Sequence, residues 1–234
     1  MTLASPLVDR AHAAAPSTAG HADEGGSLVT RAAVFLVAAG LFGLIARGVA
    51  TRRIQRADDR ARHWMQARRL ASLDAVVRPV TLLSLPALVV SATVMLAWWL
   101  RREKRVAAAL AVAVTPLIAA TAGQSFTMLL PQRNPPGSAG GTDGTVTTPS
   151  FPSGHTTGVM AEALTIAYVL SREEMVPGPA LGALAAWPLL VGAARVYRDR
   201  HWASDIIGGL AAGTAVAAAT TMLYDAQRQN GAHL

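Results

Sequence analysis

The chain has 234 residues, 52% of them hydrophobic and 15% charged, with a mean hydropathy of +0.34; it is too apolar for an ordinary soluble domain and suits one compact membrane bundle. A formal net charge of +7 would raise the question of nucleic acid, but the arginines border apolar runs, where anionic membrane lipids are the fitting partner and nucleic acid is not. The absence of cysteine excludes disulfides, thiolate catalysis and cysteine-ligated metal.

Residues 1–27, rich in alanine and glycine and without a long apolar run, read as a disordered N-terminal tail, with His12 and His21 too isolated for a metal site. Leu28 to Ala50 is the first apolar span, with Arg31 and Arg47 near its ends able to reach the headgroups. Thr51 to Asp74 changes character: seven arginines surround Ile54, Ala57, Ala61, Trp64 and Met65 at helical spacing, the pattern of a basic amphipathic helix lying in the interface plane.

Pro79 to Leu100 is uncharged and ends in Trp98-Trp99 before a basic run, an aromatic belt followed by a stop signal. The third span runs from Val106 to about Gln132, with Pro116 as a kink and Gln124, Ser125 and Thr127 toward its end, either facing a site or pairing helices. Arg133 to Phe151 is a polar loop rich in glycine, proline and threonine, read as a flexible flap; its glycines precede no Lys-Ser or Lys-Thr helix start, which rejects a nucleotide phosphate loop.

Gly154 to Ser171 is the fourth span, and Glu162 lies on it two turns beyond His155, as a proton relay or as a neutral or paired acid. Met175 to Ala194 is the fifth. The sixth, Ile206 to Tyr224, carries Gly209 and Gly213 in a Gly-x-x-x-Gly pattern that allows close helix approach. Residues 226–234 read as a polar C-terminal tail. The fold class is therefore all-α, a six-transmembrane-helix bundle over residues 28–225 with the basic interfacial helix between the first two spans.

Two polar islands break the apolar pattern. In Pro152-Ser153-Gly154-His155, proline, serine and glycine open a helix whose unpaired N–H groups and positive dipole end form an anion site. From Arg195 to Asp205, a helix beginning near His201 would place His201 and Asp205 at i and i+4, the carboxylate holding one imidazole nitrogen and leaving the other free to attack. Arg195, Ser153 and Gly154 with the two histidines make a phosphate clamp with catalytic imidazoles. Six alternating spans put both islands on one membrane face.

These residues resemble the type 2 phosphatidic acid phosphatase superfamily, which also holds vanadium haloperoxidases. The middle part of its signature, Pro-Ser-Gly-His, is met without change at 152–155. The last part, Ser-Arg, five residues, His, three residues, Asp, is met from Arg195 through His201 to Asp205, with Ala194 in place of the serine. The first part, a lysine and then Arg-Pro after six residues, is reduced to Arg133 in Gln132-Arg133-Asn134-Pro135, without the lysine; Gln124 and Thr127 are the candidates for its place.

The resemblance implies a metal-independent phosphatase without a cofactor, acting on a lipid phosphate. It implies that His201 attacks phosphorus, Asp205 orients His201, and His155 protonates the leaving oxygen. Arg133, Arg195, Ser153 and Gly154 hold the phosphoryl oxygens. It also implies a plasma (inner) membrane protein with the site on the extracytoplasmic face, whereas thirteen of the 21 Lys and Arg residues fall on the site's side, which the positive-inside rule would place in the cytoplasm. A non-catalytic lipid-phosphate binder, a haloperoxidase and a zinc hydrolase are the rival readings.

Overall fold

A computed structural model describes residues 19–138 and 146–231, with side chains from Leu28 to Ser138 and from Val146 to Asn230. Among the described residues every regular element is a helix: α1 (Ala19–Ala50), α2 (Gln55–Gln66), α3 (Ala71–Leu83), α4 (Pro86–Arg102), α5 (Val106–Leu129), α6 (Gly154–Arg172), α7 (Gly178–Tyr197) and α8 (Ala203–Gly231). The helix already under way at Ala19 corrects the expectation of a tail up to residue 27; residues 1–18 and His233 lie outside the described residues, as does part of the expected flap.

The uncharged run from Pro79 to Leu100 is not one straight span. Pro86 has no N–H to continue α3 and is well placed in the first turn of a new helix, so α3 and α4 meet at Ser84 and Leu85 with a bend of 54°. The basic stretch is likewise two pieces, since Arg68 and Arg69 fall in a turn after α2 and Leu70 is extended before α3. By length and composition four helices can cross a membrane, α1, α5, α7 and α8, or five if the bent pair α3–α4 is one span. The expected fourth span is present as α6, but it falls short of that criterion because His155, Glu162 and its threonines lower its hydropathy.

Helix α8 is the axis of the bundle, packing on α1, α5 and α6, while α6 also packs on α5 and α7. Glycine makes the α6–α8 approach possible: a Cβ at Gly213 would stand 2.5 Å from the Thr157 carbonyl oxygen, and one at Gly209 2.9 Å from that of Ser153. The Gly-x-x-x-Gly pattern thus brings the start of α6 against the start of α8, where the backbone N–H of Ser153 donates to the Asp205 carbonyl at 3.1 Å. The two polar islands are joined directly.

At the other end of the bundle, Arg31 of α1 pairs with Asp225 of α8 and donates to Tyr168 of α6, whose hydroxyl donates to Asp225 at 3.0 Å. Arg105 pairs with Glu173, which also accepts from Tyr224. Helix α8 continues past these bonds to Gly231, so the described part of the polar stretch after Asp225 is helical. Exposed apolar side chains such as Leu36, Val37 and Leu44 stud the outward face of α1, a surface suited to lipid.

Candidate active site

The geometry begins with helix ends. Ser153 is the N-cap of α6, its hydroxyl accepting from the Thr156 N–H at 3.4 Å and the Thr156 hydroxyl at 3.0 Å. That leaves Gly154 and His155 in the open first turn. In the second island Asp199 adopts a left-handed φ of 55°, turning the chain between α7 and α8. Its carbonyl accepts from the Gly137 N–H at 2.9 Å, and the Trp202 indole donates to the Asn134 carbonyl at 2.9 Å, so the loop before α6 is stitched to the loop before α8.

His201 lies two residues before α8, which starts at Ala203. Its Nδ1 is 3.1 Å from the Ser150 carbonyl oxygen and 3.6 Å from Asp205 Oδ2. A carbonyl only accepts, so Nδ1 carries the proton and Nε2 is left as the basic nitrogen. Asp205 is fully buried: Oδ2 accepts from the Trp202 N–H at 2.9 Å, and Oδ1 accepts from Arg133 at 2.8 Å.

Arg133 is therefore occupied. One end of its guanidinium donates to Asp58 at 2.8 Å and to Gln55 at 3.2 Å, and the other to Ser204 at 2.6 Å and Asp205 at 2.8 Å. Asp58, buried on α2, also accepts from the Ser204 N–H at 2.9 Å and hydroxyl at 2.7 Å. Sequence reasoning missed Asp58. The available signal was its i, i+4, i+8 spacing with Arg62 and Gln66, the residues that hold the Asp199 carboxylate at 2.9 to 3.0 Å together with Arg69.

Arg195, in the last turn of α7, differs: its Nε and Nη2 are buried with no hydrogen-bond partner, while His155 lies within electrostatic reach of Arg195 and His201. A half-buried guanidinium with two buried nitrogens left open in this way is suited to an anionic ligand. A cavity of about 410 Å³ lies between α4, α5 and α6, and its wall includes Gly154, His155, His201, Gln124, Thr127 and Glu162. The structure thus brings His155, His201 and Gly154 to one space, with Asp205 behind His201. Arg133, Arg195 and the capping Ser153 are not themselves part of the cavity wall; Arg195 stands behind it, within electrostatic reach of His155. Among the described residues no three His, Asp or Glu side chains are grouped to hold a metal ion.

These features define a helical membrane protein with two imidazoles and an open guanidinium gathered at one end of the bundle. Residues 104–229, more than half of the chain, match the PAP2 superfamily, and the chain belongs to it. Among solved structures it is similar to a transmembrane PAP2-type phosphatidylglycerolphosphate phosphatase from Bacillus subtilis, with a TM-score of 0.70 and 20% identity over 84% of this chain and 96% of that one. It is also similar to LpxE of Aquifex aeolicus, with a TM-score of 0.49 and 21% identity over 70% of this chain and 93% of that one. A comparison with curated proteins finds no match.

Proposed function

We propose that this protein is a metal-independent phosphatase of a lipid phosphate, working through a phosphohistidine. The observation that carries the reading is the pair of histidines facing one cavity, with His201 Nδ1 engaged by Ser150 and Nε2 left as the nucleophile. His201 Nε2 attacks phosphorus, and the P–O bond to the lipid breaks as His155 gives its proton to the leaving oxygen. Water, losing a proton to His155, then cleaves the P–N bond.

Arg195 and the Gly154 amide hold the phosphoryl oxygens as charge gathers on them. Ser153 serves by fixing the first turn of α6. Arg133, gripped by Asp58, serves by holding Asp205, which in turn supports the positive charge of His201. The chain crosses the membrane six times, with α3–α4 as one bent span and α6 as another. Helix α2 lies at the surface, where Trp64 is exposed with Arg68 stacked on it, Cζ 4.2 Å from the ring centroid. By family resemblance the site faces the extracytoplasmic side of the plasma (inner) membrane.

The test is phosphate release by purified protein in detergent from phosphatidic acid, phosphatidylglycerol phosphate, and prenyl mono- and diphosphates, with and without EDTA. Release from at least one, undiminished by EDTA, is expected. Binding without release from any of them overturns the reading in favour of a lipid-phosphate binder. Loss in EDTA restored by zinc points to a metal hydrolase.

A further inference from the structure

The cavity that holds the two histidines continues along α6, and the mechanism above leaves its far wall without a task. His155, Gly158, Val159 and Glu162 all line it, the i, i+3, i+4, i+7 spacing of one helix face. A Cβ at Gly158 would meet nothing within 4 Å, so a groove stays open between His155 and Glu162. Glu162 also lines a second, mostly apolar cavity of about 410 Å³ walled by Leu83, Leu88, Ile166, Leu184 and Trp187. It is the polar group on the partition between the catalytic space and an apolar space suited to a hydrocarbon chain.

Glu162 is 5% exposed and forms no ion pair among the described residues. Its hydrogen bond comes from Thr93 of α4, whose hydroxyl also lies 2.9 Å from the Val89 carbonyl; one hydroxyl proton is shared between two acceptors. The other carboxyl oxygen has no hydrogen bond among the described residues, and a carboxyl buried away from any cation favours its protonated form, whose O–H can donate from that oxygen. Seven residues along the helix place it about 10 Å from His155. With one hydrogen bond of about 3 Å at each end, about 4 Å remains between the two bound oxygens. That is close to the separation of the phosphate-bearing oxygen and the neighbouring oxygens on a glycerol backbone.

We infer that Glu162, in its protonated form, determines substrate class by donating a hydrogen bond to an ester oxygen of a glycerol backbone, so that glycerolipid phosphates are favoured over prenyl phosphates, whose chains carry no oxygen there. This rests on the phosphatase reading. Glutamine at this position keeps a hydrogen-bonding head of the same length, and leucine keeps bulk while removing it.

The experiment compares kcat/KM of wild type, Glu162→Gln and Glu162→Leu on a diacylglycerol phosphate and a polyprenyl monophosphate in mixed micelles. Wild type should prefer the glycerolipid. Glu162→Leu should lose about tenfold on the glycerolipid and stay within about twofold on the prenyl substrate, whose turnover also reports that the variant is folded. Glu162→Gln should keep most activity on both. Equal loss on the two substrates in Glu162→Leu, no loss on either, or a wild type that prefers the prenyl substrate overturns the inference. Gly158→Val, which fills the groove, should slow both lipids and spare a short water-soluble phosphate ester; unchanged lipid turnover overturns the groove as the lipid's path. A wild type that hydrolyses no lipid phosphate sinks the phosphatase reading itself.

Discussion

The two ends of the bundle use the same residue types to different ends. Around Asp225 and Glu173, arginine, tyrosine and carboxylate close on one another: Arg31 on Asp225, Arg105 on Glu173, and both tyrosines bonded in between. Around His201, a similar set of bonds stops short of completion. Both terminal nitrogens of Arg133 are bonded, to Asp58, Ser204 and Asp205, and only its Nε is left over, whereas Arg195 keeps Nε and Nη2 buried without a partner among the described residues. The contrast separates two jobs for a buried cation. A closed network locks helices together, whereas a guanidinium buried and left open carries a desolvation cost that an anion bound there can offset.

The largest effect should come from His201→Ala, which removes the proposed nucleophile: activity falls on the order of ten-thousandfold while circular dichroism stays as in wild type and melting falls only by what the bond to Ser150 contributes. Next is Arg195→Lys. Because Nε and Nη2 have no partner to lose among the described residues, melting should be unmoved while kcat/KM falls about a hundredfold, an ammonium being unable to match a planar fork on phosphoryl oxygens. If Arg195→Lys melts early, Arg195 belongs with the closed networks and the contrast fails.

Arg133→Ala should do both kinds of harm. It leaves Asp58 and Asp205 buried without their cation, a cost of about 3 to 5 kcal/mol in stability, and it lowers kcat through Asp205. A variant that loses activity with full stability would return Arg133 to the phosphate-gripping role suggested by its motif. Asp58→Asn, a milder break in the same chain of bonds, should lower kcat about tenfold and leave KM nearly unchanged.

The smallest effect is expected at the far end, where Glu173→Gln should lower melting temperature by a few degrees and leave kcat alone. Burial by itself would raise the Glu173 carboxyl, but the bonds from Tyr224 and Arg105 and the charge of Arg228 outweigh it and hold it below the usual carboxylate range. Asp199 is held low in the same way, burial being outweighed by Arg62, Gln66 and Arg69. For a lowered carboxylate the stabilisation is complete above its ordinary pKa, about 4, and is lost as pH falls through the lower folded value. A melting-temperature profile in acid should therefore fall more steeply in wild type than in Glu173→Gln.

Chemistry carried by neighbours in the chain was legible before the structure. His155 beside Ser153 and Gly154, and His201 four residues from Asp205, needed no long-range information, and neither did the glycine pattern of α8. What the sequence could not show was partnership across distance. Nothing near Arg133 points to Asp58, 75 residues earlier, and the hydrogen bond of His201 Nδ1 to a backbone carbonyl at Ser150 has no side-chain signature. Hydropathy also says nothing of direction, so an uncharged run from Pro79 to Leu100 conceals a bend at Ser84 and Leu85 whose lining residues Ser84 and Pro86 reach the cavity of the two histidines.

The position of Asp58 bears on how this chain can be cut and recombined. The segment that matches the superfamily starts at residue 104, after α2, so it contains both histidine islands and none of Gln55, Asp58, Arg62, Gln66 or Arg69. By pattern it is a unit; by bonding it is not. An excised segment would expose the carboxylate of Asp199 and the guanidinium of Arg133 at a raw edge. A chimaera that grafts these motifs onto another helical scaffold has to carry α2 with them, or supply an acid and a base in the same two places.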